Sequence, residues 1–225
     1  MTSILPSYTH IINPKLKHTY LSFDDEGTLV IKSPKVSQSY IESLLLQKSA
    51  WIRRTQKKLA AKKGSLKDIF QNDELYFLGR AYPLHLKEHS KKRTSFVFNQ
   101  TDCTLYYHTF DTALFMKQVD RFYKREAESL IPSLVEKWAQ KMKLHPTKIK
   151  FRKTRRQWGS CSTKNVLSFN TMLMKLPLEV IEYVVVHELA HIQHKHHQKA
   201  FWKLVEQTMP DYKERVAKLH TYTPH

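Results

Sequence analysis

The sequence predicts an α+β fold: a small β-rich unit with one helix, residues 1–110, followed by a helix-rich unit, residues 111–225, with a short sheet packed on its helices. Three observations lead there. Residues 20–33, 74–86 and 94–108 alternate apolar with polar side chains or concentrate aromatics, as half-buried strands do. From about Thr112, apolar residues instead recur at helical spacing. Near the far end, Val184-Val185-Val186-His187-Glu188-Leu189-Ala190-His191 sets three ionisable residues into an apolar, β-branched helix that belongs in a core, where such groups need partners.

Taken in order, Tyr20 to Ser33 reads as two short strands around an Asp-Asp-Glu-Gly turn, closed by Pro34. Ser37 opens a helix through Ile41, Leu45, Trp51, Ile52 and Leu59, whose later part, Lys48 to Lys63, interleaves Lys and Arg with Trp51 and Ile52. That part is the best local candidate for contacting phosphates, set against the commoner role of a wet helix face. Strands follow over Glu74–Leu86 and Thr94–His108, with the basic run Lys87–Arg93 as a loop. Leu114 to Leu144 is a long helix that Pro132 should kink or divide, and His145-Pro146 ends it. Three strands come next, Lys148–Lys153, Arg156–Ser162 and Val166–Asn170, the last two joined by a tight turn. Pro177 suits the first turn of the helix that carries His187 and runs to about His194. A further helix, Gln198 to Gln207, offers an apolar side of Phe201, Trp202, Leu204 and Val205, and Asp211-Tyr-Lys-Glu214 reads as a capping box for a last one to about His220.

Composition narrows the function. With 38 Lys and Arg against 20 Asp and Glu, the formal net charge is +18, which favours nucleic acid, anionic lipid or acidic partners and equally describes a solvated surface. The four Gly stand apart at 27, 64, 79 and 159, so there is no Gly-rich phosphate loop or dinucleotide fingerprint. Cys103 and Cys161 form no paired motif, Met1–Lys17 has no secretory pattern, and no stretch is long and apolar enough for a bilayer. The expectation is a cytoplasmic protein without membrane contact.

His187-Glu188-Leu189-Ala190-His191 is H-E-x-x-H. Residues four apart share a helix face, so both imidazoles can reach one metal ion, while Glu188, turned about 100° away, suits a base beside it. A zinc site needs a third protein ligand, and His194, His196 and His197 all follow closely. His194 shares the face of His187 but lies roughly 10 Å along the axis. His197 could return only if the chain leaves the helix after His191, and with neither Gly nor Pro there, His196 is the expected turning residue, at positive φ.

Arg156-Gln157-Trp158-Gly159-Ser160-Cys161-Ser162, Asn170, Pro177, Tyr183 through His191, His197 with Phe201-Trp202, and Pro210-Asp211-Tyr212 together resemble the YgjP-like metallopeptidase-domain family of the zincin class, more distantly the SprT-like and WLM metalloproteases. The resemblance is strong after Arg155 and loose before Thr112. It implies that residues 111–225 form a zincin-like domain, that His187, His191 and His197 hold Zn2+, that Glu188 is the general base, and that the substrate is a peptide or protein. His196 stands where the family usually has Asn, which keeps His194 and His196 as lesser ligand candidates. Arg155, Arg156, Tyr183 and Tyr212 are candidate oxyanion donors, each more often structural, and Cys161 lies on a strand that could approach the metal. The strands around Trp158 and Val166 could offer an edge to an extended peptide. Two rival readings remain: a nucleic-acid-binding protein with a structural or weakly active metal site, and a zinc hydrolase of non-peptide amides.

Overall fold

The structure, a computed structural model, describes residues 6–24, 27–60, 69 and 72–223. They fall into two compact units, Met1–Lys62 and Lys63–His225.

In the first unit, β1 (Tyr8–Ile12), β2 (Tyr20–Phe23) and β3 (Leu29–Ser33) precede helix α1 (Gln38–Ala60). The sheet order is β1-β3-β2, with β2 antiparallel and β1 parallel to the central strand. Leu29 and Ile31 of β3 are buried against Ile41, Leu45 and Ile52 of α1, so apolar spacing of two on the strand meets helical spacing on the helix. The expected hairpin is β2–β3, and Gly27 takes the left-handed φ of 81° that its turn requires. Strand β1 escaped the sequence reading because Ile11 and Ile12 are adjacent and both exposed, which breaks alternation. Ser37 caps α1, its Oγ accepting from the Tyr40 N–H at 3.2 Å. Lys62 and Lys63, the end of the expected basic stretch, lie outside the described residues.

In the second unit, β4 (Glu74–Phe77), β5 (Arg80–Glu88), β6 (Ser95–Phe98) and β7 (Cys103–Tyr107) form a sheet of order β4-β5-β7-β6. The boundary expected near residue 110 falls inside this unit. Leu75, Leu84, Cys103 and Leu105 from the strands share one core with Phe115, Val119, Phe122 and Tyr123 of helix α2 (Thr112–Met142). Strand β5 runs on through Lys87 and Glu88, which shortens the expected loop because Leu84–Glu88 pair with Cys103–Tyr107. Helix α2 runs through Pro132 as one element, so the proline does not divide it. The carbonyl that loses its partner there belongs to Glu128, which is exposed to water, while Ala127, Ile131, Leu134 and Val135 hold both sides in the core.

A second sheet, β8 (Lys148–Arg152), β9 (Gly159–Cys161) and β10 (Val166–Asn170), has the order β8-β10-β9, which leaves β9 at an edge. Strand β9 is shorter than the expected Arg156–Ser162 because Asn170 claims the preceding loop: its Nδ2 donates to the carbonyls of Thr154 (2.7 Å) and Gln157 (2.9 Å). A 3-10 helix (Thr171–Lys175) then leads into α3 (Leu178–Gln193), α4 (Lys199–Thr208) and α5 (Tyr212–Leu219). Pro177 is the residue before α3 rather than in its first turn. The turn Leu78-Gly79 locks that entry. Its two N–H groups donate to the carbonyls of Met174 and Lys175, and a Cβ on Gly79 would lie 2.6 Å from Pro177 Cγ. The expected capping box on α5 is absent: Asp211 Oδ2 accepts instead from Arg215 Nε at 2.9 Å. Among the described residues no helix is long and apolar enough to cross a membrane.

Glu182 on α3 joins three helices, accepting from Lys137 Nζ of α2 at 2.6 Å and Arg215 Nη1 of α5 at 3.3 Å. Burial alone would raise its pKa, but the bonds and charge of Lys137, with Arg215, outweigh it and hold the carboxyl below its ordinary 4.5. The folded state therefore favours the ionised form, a contribution present above the unfolded pKa and lost as pH falls through the lower folded one. Urea unfolding of Glu182→Gln should accordingly lose less stability on acidification below about pH 4.5 than the parent does. Asp111, whose Oδ1 accepts from the N–H groups of Ala113 (2.7 Å) and Leu114 (3.0 Å), caps α2, and Asp111→Ala should cost about 1 kcal/mol in the same measurement.

Candidate metal centre

The site is built on α3, where Val184, Val185, Val186, Leu189 and Ala190 are buried and fix which way His187 and His191 point. One turn apart, the two rings present Nε2 to a common point. After Gln193 the chain leaves the helix through His194, at φ −124° and ψ 100°. The exit is imposed from outside. Lys195 Nζ bonds the Ser162 carbonyl at 3.1 Å and Asn165 Oδ1 at 2.7 Å, hooking the departing chain onto the β9–β10 turn. Helix α4 then brings fully buried Phe201 under the site, with ring centroids 5.0, 4.6 and 4.7 Å from His187, His191 and His197.

His197 Nε2 thereby lies 3.0 Å from His187 Nε2 and 3.1 Å from His191 Nε2. The three residues form a group whose ligand atoms all lie within 4.8 Å of one another. His191 Nδ1 stands 3.0 Å from the His194 carbonyl, which can only accept, so Nδ1 carries the hydrogen and Nε2 offers its lone pair. His187 Nδ1 is 3.2 Å from the Tyr183 hydroxyl. One N–H on His197 cannot serve two facing nitrogens, whereas nitrogens bound at ~2.0–2.1 Å to one tetrahedral zinc lie about 3.3 Å apart. The donor set and its spacing fit a divalent metal. Burial first, then the neighbouring His191 and His197, push the His187 pKa down to about 3, and burial lowers His191 as well, which favours the neutral form a ligand needs on both rings of the helix.

Glu188 points beside the triad. It is 5% exposed, and its Oε2 is buried with no hydrogen-bond partner among the described residues. Burial raises its pKa to about 8, against the pull of the Arg152 charge. Room for it comes from Gly159 on β9: a Cβ there would sit 2.7 Å from both Cγ and Oε1 of Glu188.

His194 contributes its backbone carbonyl rather than its ring, and His196 stands outside the triad, exposed and not at positive φ. The chain turns without a left-handed residue there because tertiary contacts end the helix. Of the candidate oxyanion donors, Tyr183 lies behind His187 and burial, then the Glu188 charge, push its pKa up to about 12. Tyr212 stacks on Trp202, with centroids 5.7 Å apart, and Arg155 and Arg156 are exposed on the loop before β9. Cys161 is outside the triad, donating to the Ser162 carbonyl at 3.5 Å. Sequence reasoning missed the tasks of Gly159, Lys195 and Arg152. Only Arg152 left a local signal, the alternation Lys-Ile-Lys-Phe-Arg on β8.

Gly159→Val should displace the Glu188 carboxylate while leaving the triad intact. Bound metal should stay at the parent stoichiometry while any metal-dependent hydrolysis falls at least about tenfold, as for a misplaced base.

The model of the YgjP-like family, described as a metallopeptidase domain, matches residues 17–222. No curated protein matches the chain. Among solved structures, the metallopeptidase zymogen of Pyrococcus abyssi abylysin is 22% identical, covers 41% of this chain and 93% of its own, and has a TM-score of 0.38. That of Methanocaldococcus jannaschii jannalysin is 20% identical, covers 40% of this chain and 92% of its own, with a TM-score of 0.36. With three imidazoles facing one point beside a buried carboxylate, and the family model spanning nearly its whole length, the chain belongs to the YgjP-like metallopeptidase-domain family.

Proposed function

We propose that the protein is a zinc-dependent peptidase in which His187, His191 and His197 hold the ion and Glu188 is the general base. The observation that carries this reading is the convergence of three Nε2 atoms next to a carboxylate whose buried Oε2 has no hydrogen-bond partner among the described residues. Bound zinc supplies a Lewis acid, which polarises a carbonyl and acidifies water toward a pKa of about 7. Glu188 accepts a proton from the water that attacks the scissile carbonyl. As the new C–O bond forms and the C–N bond breaks, the same proton passes to the leaving amine. Tyr183 and the His194 carbonyl keep the rings of His187 and His191 in the orientation that aims Nε2 inward.

The substrate would lie along β9. Asn170 N–H donates to Trp158 O (2.8 Å) and Ser162 N–H to Val166 O (3.0 Å), so even-numbered residues bond toward β10. By alternation, Gly159 and Cys161 turn their backbone groups to the open edge, where an extended peptide can add as a strand beside Glu188.

Purified full-length protein should hold one zinc per chain by metal analysis. His187→Ala, His191→Ala and His197→Ala should each lose it, and His194→Ala and His196→Ala should retain it. Glu188→Gln should keep zinc and lose about 100-fold or more of peptide turnover. Turnover that survives chelation, or that is undiminished in Glu188→Gln, would remove this mechanism.

The exposed face of α1, with Lys48, Arg53, Arg54, Lys57 and Lys58, supports nucleic acid as a second class of partner. Trp51 does not serve as a stacking platform there, since its ring packs 5.8 Å from Phe23. Contact would therefore be with phosphates. Binding of an oligonucleotide should weaken steeply between 50 and 200 mM salt, on the order of tenfold or more, and a salt-independent affinity would count against it.

A further inference from the structure

The second sheet has two unlike faces. Ile149, Phe151, Leu167 and Phe169 turn inward to the core, while Lys150, Arg152, Ser168 and Ser160 alternate with them and face outward. That outer face forms a groove of about 500 Å³ lined by Lys150, Arg152 and Lys164 together with Ser160, Ser162 and Ser168 among others. No lining residue is acidic and none is aromatic. Among the described residues, no carboxylate pairs with any of these three cations.

Arg152 brings this charge to the β9 edge of the sheet. Its backbone sits on β8, the edge strand opposite β9, in register with Asn170 of β10. Its guanidinium nevertheless spans β10, and Nη2 donates to Ser160 Oγ on β9 at 2.7 Å. The cation is then about one strand spacing, ~4.8 Å, from a chain added along β9. On such a chain, the side chain beside Ser160 points to the outer face, while its neighbours point to the face of Gly159 and Glu188. The residue over the groove is therefore next to, or one removed from, the residue at the reacting centre.

We propose that this groove is a subsite for an acidic side chain of the peptide substrate, bound by Arg152 and Lys150 within about two residues of the scissile bond. The placement of the substrate strand rests on the peptidase reading above. The ligand is a carboxylate on a peptide rather than a nucleic acid, because single strands are held by aromatic platforms along an extended basic track, and this groove is short and has no ring. Hydroxyls of Ser160, Ser162 and Ser168 can donate to carboxylate oxygens left over by the cations.

The test is binding, with turnover read separately. Full-length zinc-loaded protein carrying Glu188→Gln is titrated by fluorescence anisotropy with a labelled nonapeptide rich in Glu, its Gln counterpart and a single-stranded oligonucleotide. The Glu peptide should bind about tenfold more tightly than the Gln peptide. That ratio should fall to about one when Lys150→Gln and Arg152→Gln are added, and persist when Lys91→Gln and Lys92→Gln remove the same charge from a remote loop. Lys150→Glu with Arg152→Glu should shift the preference to a Lys-rich peptide, which a merely structural role for these residues would not do. The proposal is overturned if the ratio survives loss of Lys150 and Arg152, if the remote pair abolishes it equally, or if the oligonucleotide binds in preference and depends on the same two residues. Acidic preference at these residues without cleavage by the unsubstituted protein would sink the peptidase reading and leave the subsite standing. Cleavage of both peptides without that preference would do the reverse.

Discussion

Three imidazole nitrogens must meet at one point, and a single α-helix cannot supply all three. Two come from adjacent turns of α3; the third requires the chain to stop being helical, reverse, and return. Everything around His194–Gln198 serves that reversal. The His194 carbonyl orients His191, Lys195 is hooked to the β9–β10 turn, and Phe201 of α4 fills the space beneath the rings. The helix ends against intrinsic preference, so its end point is set by contacts made elsewhere in the unit rather than by a breaker residue.

The same unit keeps a carboxylate where burial works against its charge. Glu188 is held in the core face of α3 with an unpartnered oxygen and a pKa raised to about 8, a state that folding tolerates only where function or a cation compensates. The space it occupies exists because Gly159 has no side chain, and Gly159 is placed by a short edge strand whose approach loop is tied down by Asn170. Thus the second sheet does two jobs: its inner face and β9 edge border Glu188, and its outer face collects Lys150, Arg152 and Lys164, none of which forms an ion pair with a carboxylate among the described residues.

The sequence made much of this legible because local patterns and local chemistry agree. A turn between two apolar runs marked β2 and β3, helical spacing marked α2, and H-E-x-x-H in an apolar, β-branched run placed two rings and a carboxylate on one helix. What it could not show were features fixed by distant partners. Pro132 reads as a possible division of the helix until exposed Glu128 and the packed residues on either side are seen. A boundary near residue 110 follows from the change of texture at Thr112, yet the strands before it and the helix after it bury one core. Arg152 reads as one more basic residue in a basic chain until its guanidinium is found across β10 on Ser160. The third ring of the triad was open among His194, His196 and His197 on residue spacing, since no breaker marks the reversal that Lys195 and Phe201 bring about.

The most direct test of the central claim is X-ray absorption spectroscopy at the zinc edge on the zinc-loaded full-length protein. The convergence of His187, His191 and His197 calls for three imidazole nitrogens at ~2.0–2.1 Å, a lighter oxygen scatterer completing the shell, and no sulfur. A sulfur scatterer near ~2.3 Å would bring a cysteine such as Cys161 into the shell, and a shell with fewer than three imidazoles would mean that the rings do not close on one ion; either result would contradict the account.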